Sequence, residues 1–329
     1  MRIRVKRLGA AVLVAAIMVG VSYGAASAQS SSASADKVTF TYGTANDIDS
    51  FNPLIAVESP AYTSFALQYN LLLDFSTEDL SPIPGIATEV PSAENGGISS
   101  DGLTWTFKIR QGMKWSDGQP LTANDVAFTY NYILDNEFGC CKSYLKFVTS
   151  VTAPDDATLV IETSQPAVGL LSIYNYILPE HIWKDIDKEE AKTFENYPDP
   201  VTSGPFHLTN WDKGQSWTFE ANPDYWAGAP HIDQVVFKVY QNQDAVVAAL
   251  RSGEIDFADT LQANLYNSLQ NQPNIATSSA VAPGFTSVGF NTGADVSIPD
   301  SDGNPILKDV TVRSAMAMAV DKQELVDKV

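Results

Sequence analysis

The stretch from Leu103 to Asn136 constrains the chain more than any other. Apolar Leu103, Trp105, Phe107 and Ile109 alternate with polar Thr104, Thr106, Lys108 and Arg110, the period of a strand with one buried face. Ser116-Asp117-Gly118 reads as a tight turn, because Asp bonds the nearby backbone and Gly accepts a positive φ. Thr122 is placed as an N-cap, with Asp125 in the first helical turn, where unpaired N–H groups favour a negative charge. Val126, Tyr130, Ile133 and Leu134 share one helical face. The stretch predicts strand, turn and capped helix, a succession that many folds contain.

Length and charge narrow the class. With 329 residues, 44% of them hydrophobic, the chain is long enough for two domains with their own cores. A formal charge of −19 argues against a nucleic-acid partner, which needs a basic face. Residues 1–28 read as an export signal: Arg2, Arg4, Lys6 and Arg7 precede a small and apolar run, and Ala26-Ser27-Ala28 is an A-x-A cleavage pattern ending at Ala28. A membrane anchor is the alternative, but the run falls short of the roughly 20 apolar residues that a spanning helix needs. Removing the four basic residues of this leader takes the charge from −19 to −23. Residues 29–35 form a Ser/Ala-rich linker.

Other elements follow in order. Val38, Phe40 and Tyr42 alternate as a first strand. Ser59 as N-cap and Pro60 at N1 open a helix with Tyr62, Phe65, Ala66 and Tyr69 on its buried face. The Pro-, Gly- and Ser-rich segment 81–97 is expected to cross a surface. Two β runs flanking Pro154-Asp155-Asp156 suggest a hairpin. Val235, Phe237 and Val239 form a strand, Asp244 caps a helix, and Gly253 ends it. Val312, Ala315, Met316, Ala319 and Val320 predict a core-facing helical stripe, and Asp321 with Glu324 starts a further helix.

Several chemistries find little support. His181, His207 and His231 are dispersed, without the H-E-x-x-H spacing of a metal helix, and His181 reads as structural or surface. No nucleophile elbow, phosphate loop or dinucleotide fingerprint is present. Asp300, Asp302 and Asn304 imitate a calcium loop, but Pro305 stands at the turn position and Thr311 replaces the bidentate Glu, so a solvated acidic loop is expected. Adjacent Cys140 and Cys141 allow a strained disulfide or metal capture, and two unpaired thiols are the plainer reading. No cofactor and no metal site is expected.

Three groups of motifs carry a family resemblance. The first is W-T-F-K-I-R, G-M-K-W-S-D-G-Q-P-L-T-A and D-V-A-F-T-Y within 103–136. The second is V-T-S-G-P-F-H-L, N-P-D-Y-W-A-G-A-P-H-I-D-Q-V-V-F-K-V-Y and D-A-V-V-A-A-L-R-S-G-E-I-D within 201–256. The third is G-F-T-S-V-G-F-N-T at 284–292, resembling a crossover strand, and the D-V-T-V-R-S-A-M-A-M-A-V-D-K-Q-E-L-V that follows. Together they resemble the family 5 bacterial extracellular solute-binding proteins, the peptide- and nickel-binding receptors of ABC importers.

The resemblance implies an α/β, two-lobed periplasmic binding protein fold, of which residues 36–329 correspond to the first lobe and the start of the second. Its implied boundaries are 36–74 with 201–283 for the main subdomain of lobe I, 75–200 for the small subdomain, and 284–329 for lobe II, with a hinge near Val281 to Gly284. Family members are expected to continue well beyond Val329. Ligand-lining positions carried across are Glu58, Ser59, Tyr62, Tyr144, Asn175, Gln262, Gly284 and Phe285; for the side chains, plain packing is the competing role. The implied partners are an oligopeptide-like solute and an ABC permease with its ATPase, with the receptor a monomer in the periplasm or secreted, since no cysteine for lipid anchoring lies near Ala28. Peptide, nickel chelate and sugar stay open as solutes. A secreted hydrolase and a truncated, non-transporting interaction protein are the alternatives.

Overall fold

The computed structural model describes residues 37–279, 287–293 and 303–328. The leader with Ala28, the linker, the hinge segment with Gly284 and Phe285, and Asp300 and Asp302 of the acidic loop lie outside the described residues.

A four-stranded sheet has the order β1 (Thr39–Thr44), β9 (Gln234–Val239), β8 (Ser216–Ala221), β7 (Phe206–Asp212). β1 and β9 run parallel with Tyr42 opposite Phe237, and the other pairs are antiparallel. Aromatic residues hold this sheet together: the rings of Tyr42 and Phe237 lie 4.7 Å apart, and Trp217 stacks on Phe237 at 4.9 Å. Such pairs add to the stabilisation that burial already gives.

Helix α1 (Ser59–Gln68) docks on the sheet through Trp217, whose Nε1 donates to Ser64 Oγ at 3.0 Å. The helix begins one residue away from the expected register, with Glu58 rather than Ser59 as N-cap and no side-chain cap bond. Its buried face is Ala61, Ser64, Phe65 and Gln68, whereas Ala66 is exposed and Tyr62 only half-buried. Small Ala61 and Ser64 let the helix approach closely; Ser64 Oγ accepts from Trp217 and the Gln68 carbonyl accepts from Ser203 and Gly204 at 3.0 and 2.7 Å, while Gln68 Oε1 is buried without a partner among the described residues. Apolar periodicity alone cannot register such a face.

Strands β2 (Leu73–Phe75) and β3 (Pro82–Pro84) pair antiparallel. Segment 81–97 does not stay on the surface, for Ile86 and Ala87 are fully buried and donate backbone bonds to Leu71 and Leu72 at 3.0 and 2.9 Å. Gly85 permits this descent, since a Cβ there would lie 2.5 Å from the Leu71 carbonyl oxygen.

A three-stranded sheet follows, ordered β4 (Thr104–Lys108), β6 (Thr158–Thr163), β5 (Val148–Asp155). Trp105, Phe107 and Ile109 are buried as the alternation requires, and β5–β6 is the expected hairpin. Helix α2 (Ala123–Asn136) covers the sheet with Val126, Tyr130 and Ile133. Its capping box is complete: Thr122 Oγ1 accepts from Asn124 N at 3.2 Å, and Asp125 Oδ2 accepts from Thr122 N at 2.8 Å. Short helices α3 (Gly139–Lys142), α4 (Glu180–Trp183) and α5 (Lys188–Ala191) complete this region. One apolar core runs beneath both sheets, from Tyr42 through Trp105, Ile161 and Trp183 to Phe237.

Helix α6 (Gln243–Ser252) is capped by Asn242, whose side chain accepts from Ala245 N at 2.9 Å. Asp244, expected at the cap, stands instead in the first turn. Gly253, with φ +74°, closes the helix as expected, and α7 (Ala263–Leu269) follows.

Two expectations fail toward the carboxyl end. Residues 287–292 form no strand, because no described strand pairs with them, and Val288 is exposed. In α8 (Val310–Met318) the expected core stripe is open: Ala315, Met316, Ala319 and Val320 are exposed and Val312 half-exposed. No described element covers that face. Asp321 Oδ1 accepts from Glu324 N at 3.0 Å at the start of α9 (Lys322–Lys328), as anticipated.

Candidate functional site

The carboxyl ends of parallel strands concentrate loops and helix starts, and open α/β sheets bind ligands there. At the ends of β1 and β9 the chain forms a recess of about 90 Å³, lined by Thr44, Asn46, Ser59, Gln243, Asp259 and Thr260 among others. The lining is mostly polar, with Asp259 its one charged residue. At its base Tyr42 is hydrogen-bonded to the Asp259 carboxylate, and burial first, then this carboxylate, pushes the phenol well above its ordinary range. Gln243 clamps the far rim: its Oε1 accepts from Gln262 N at 2.8 Å and its Nε2 donates to the Thr260 carbonyl at 3.1 Å. Ser59 therefore borders the recess. Gln262 stands beside it with its backbone pinned and its side chain exposed.

Beyond the recess, α1 leads to an aromatic surface. Glu58 is exposed at the helix start, and Tyr62, one turn on, is half-buried with its hydroxyl donating to the Ala56 carbonyl at 3.3 Å. Tyr144 projects from a 3-10 turn, Ser143–Leu145, with 41% of its surface exposed. Burial raises the Tyr62 pKa, and Tyr144, Asp49 and Tyr174 add to the shift, which places these groups within electrostatic reach of one another. Glu58, Ser59 and Tyr62 thus lie at the start of α1, with Tyr144 within electrostatic reach of Tyr62.

Asn175 differs. It is 2% exposed and donates from Nδ2 to the Cys141 carbonyl at 3.3 Å, so it supports the loop that carries Tyr144. That loop holds another departure from expectation: Cys140 and Cys141 are joined as a vicinal disulfide and are not free thiols. The pair lies against the chain that leads into α1, with Cys140 Sγ 3.0 Å from the Leu54 carbonyl oxygen. Cys141 is buried there.

Thr44, Asn46, Gln243, Asp259 and Tyr174 escaped the sequence reading. For Thr44, Asn46 and Gln243 the signal was available in the runs that close two strands, Y-G-T-A-N at the end of β1 and Y-Q-N-Q after β9. Elsewhere, His181 Nε2 pairs with Asp117 at 2.7 Å, and His207 Nδ1 lies 2.7 Å from Thr202 Oγ1. Among the described residues no group of three His, Cys, Asp or Glu could hold a metal ion, and no helix is long and apolar enough to cross a membrane.

Known proteins resemble this chain over most of its length. The family described as "Bacterial extracellular solute-binding proteins, family 5 Middle" matches residues 81–329. A putative ABC transporter peptide-binding protein of Brucella ovis is 30% identical over 320 residues, 95% of this chain and 56% of that protein. Protein XP55 of Streptomyces lividans is 30% identical over 289 residues, 87% of this chain and 49% of that protein. In structure, the oligopeptide-binding protein AppA from Bacillus subtilis, in complex with a nonapeptide, superposes with a TM-score of 0.75 at 26% identity, covering 88% of this chain and 55% of that one. The chain spans about half the length of these relatives, and its mixed α/β architecture agrees with part of their two-lobed fold. It belongs to the family 5 bacterial extracellular solute-binding proteins.

Proposed function

We propose that the chain forms the first lobe, and the start of the second, of an extracytoplasmic receptor that takes a peptide-like solute and delivers it to an ABC permease driven by its ATPase. The observation that carries this reading is the open, polar recess at the carboxyl ends of β1 and β9 in a chain of this family. Relatives named as peptide-binding proteins, and the nonapeptide held by AppA, favour peptide over a sugar or a nickel chelate.

Glu58, Ser59, Tyr62, Tyr144 and Gln262 would line one wall of the cleft, Asn175 would support it, and Gly284 and Phe285 would begin the crossing to the second lobe. The subdomain boundaries expected from the resemblance are part of this reading. So are removal of the leader after Ala28, a monomeric receptor in the periplasm or secreted, and hinge closure around the solute. The protein would bind and hand over its solute without breaking a bond.

Calorimetry and thermal denaturation of the full-length protein, with mixed di- to oligopeptides, sugar acids and nickel-histidine, test the reading. Peptide at about 100-fold its Kd should add about 2.7 kcal/mol of stability. Failure to bind any of these solutes would sink the receptor reading, and steady release of shortened peptides would favour the secreted hydrolase.

A further inference from the structure

Beside α1 the rings form a connected surface that the recess does not use. The centroids of Tyr62 and Tyr174 are 6.5 Å apart, Phe75 is 6.0 Å from Tyr174, and Tyr176 is 5.4 Å from it. Tyr176 is buried, and its hydroxyl lies 3.2 Å from the Tyr62 carbonyl oxygen and 3.0 Å from the Tyr174 hydroxyl. This oxygen ties the two outer tyrosines into one rigid arrangement. Tyr62 and Tyr174 are half-exposed and Tyr144 more so, leaving ring surface open to solvent.

Carboxylates flank the rings. Asp49 is exposed and fixed by Val57 N, which donates to its Oδ2 at 2.7 Å, and it acts on the Tyr62 hydroxyl. Glu58 stands one turn before Tyr62, and Asp74 acts on Tyr176 from the side of Phe75. The nearest basic side chains in sequence are already engaged: Lys142 pairs with Glu137 at 2.7 Å, and Lys146 lies over the Phe147 ring at 5.2 Å. The other cations stacked on rings among the described residues are Arg110 on Trp226 and Lys213 on Trp211. Tyr62, Tyr144 and Tyr174 carry no such cation. Electron-rich ring faces beside fixed carboxylates attract a positive charge by two mechanisms at once, and the net charge of −19 steers cations toward the protein.

We propose that Tyr62, Tyr144 and Tyr174, with Asp49 and Glu58, form a subsite for a positively charged group of the solute, either a peptide's terminal ammonium or a lysine or arginine side chain. The proposal rests on the receptor reading above and adds a charge preference to it. An apolar subsite would take the same carbon skeleton without the charge, which is the contrast that separates the two.

The test is calorimetry on the full-length protein at low salt. Ala-Lys-Ala is compared with Ala-norleucine-Ala, and each with its N-acetylated form. At least one of the two pairs should differ by about tenfold in Kd in favour of the charged member, the size expected of a partly exposed cation–π contact with a carboxylate nearby. Tyr144→Leu, which keeps the bulk and removes the ring, and Asp49→Asn should each shrink that ratio several-fold. The exposed and distant Glu94→Gln should leave it unchanged. Thermal melts of each variant identify any loss caused by unfolding. Equal affinity within both pairs, or a ratio that survives both variants, overturns the subsite while the receptor reading stands. If the full-length protein binds no peptide, sugar acid or metal chelate, both are overturned.

Discussion

Asp125 is the residue whose replacement should reveal most about how the fold is held. It is 5% exposed, and its carboxylate accepts three hydrogen bonds: from Trp115 Nε1 at 3.2 Å, Thr122 N at 2.8 Å and Glu180 N at 3.1 Å. One side chain thus joins the turn before α2, the first residue of its capping box and the start of α4. In Asp125→Ala the buried Trp115 indole loses its partner outright, whereas the half-buried N–H groups of Thr122 and Glu180 recover part of theirs from water. A buried donor left alone costs about 1–3 kcal/mol and a lost cap about 1 kcal/mol, so the variant should lose about 2–4 kcal/mol. In a protein of this size that is a fall in Tm of about 10 °C.

Asp125→Asn separates shape from charge. Its Oδ1 keeps the bonds from Trp115 and Glu180, and its Nδ2 meets the Thr122 N–H donor to donor, so the loss should be about 1–2 kcal/mol. Burial holds the Asp125 carboxyl above its usual 3.8, against the hydrogen bonds that lower it. The folded state therefore binds the proton more tightly than the unfolded one. The stability from this linkage is present in full below pH 3.8 and is lost as pH rises through the folded-state value. Urea denaturation should show wild type gaining on the Asn variant between about pH 7 and about pH 4. An Ala variant within about 0.5 kcal/mol of wild type would refute the claim that these three bonds hold the junction.

Two further outcomes follow from the packing. A Cβ on Gly204 would strike the carbonyl oxygen of Leu67 and the Gln68 backbone at the end of α1, so Gly204→Ala should cost about 2–3 kcal/mol by urea denaturation. Gly139→Ala, where nothing lies within 4 Å, should stay neutral or gain a few tenths of a kcal/mol. Thiol titration of the denatured, unreduced protein should find no free thiol and, after reduction, the two cysteines of the chain. Two thiols without reductant would contradict the pairing.

What the sequence determined is local. Thr122 with Asp125, Gly253 as a helix stop, the alternation through Trp105 and Phe107, and the β5–β6 hairpin are all set within a few residues of themselves, and they form where the pattern places them. The family was legible too, because its motifs preserve residue identity and not only pattern. What lay outside local reach was which partner each face would meet. Ser64 and Gln68 are buried because Trp217 and the Ser203–Gly204 backbone bring bonds to them from far along the chain. Ala315 and Met316 are exposed because no described element covers their face.

The candidate site follows the same division. Glu58, Ser59 and Tyr62 lie within one turn at the start of α1 and were carried across together from the family resemblance, whereas Tyr42, Gln243 and Asp259 meet because β1 pairs with β9 from far along the chain. Asn175, carried across as a ligand-lining position, is buried in the tertiary structure and donates to the Cys141 carbonyl. Hydrogen bonding and burial between distant segments decide which polar residues face solvent, and a one-dimensional pattern carries no record of those pairings.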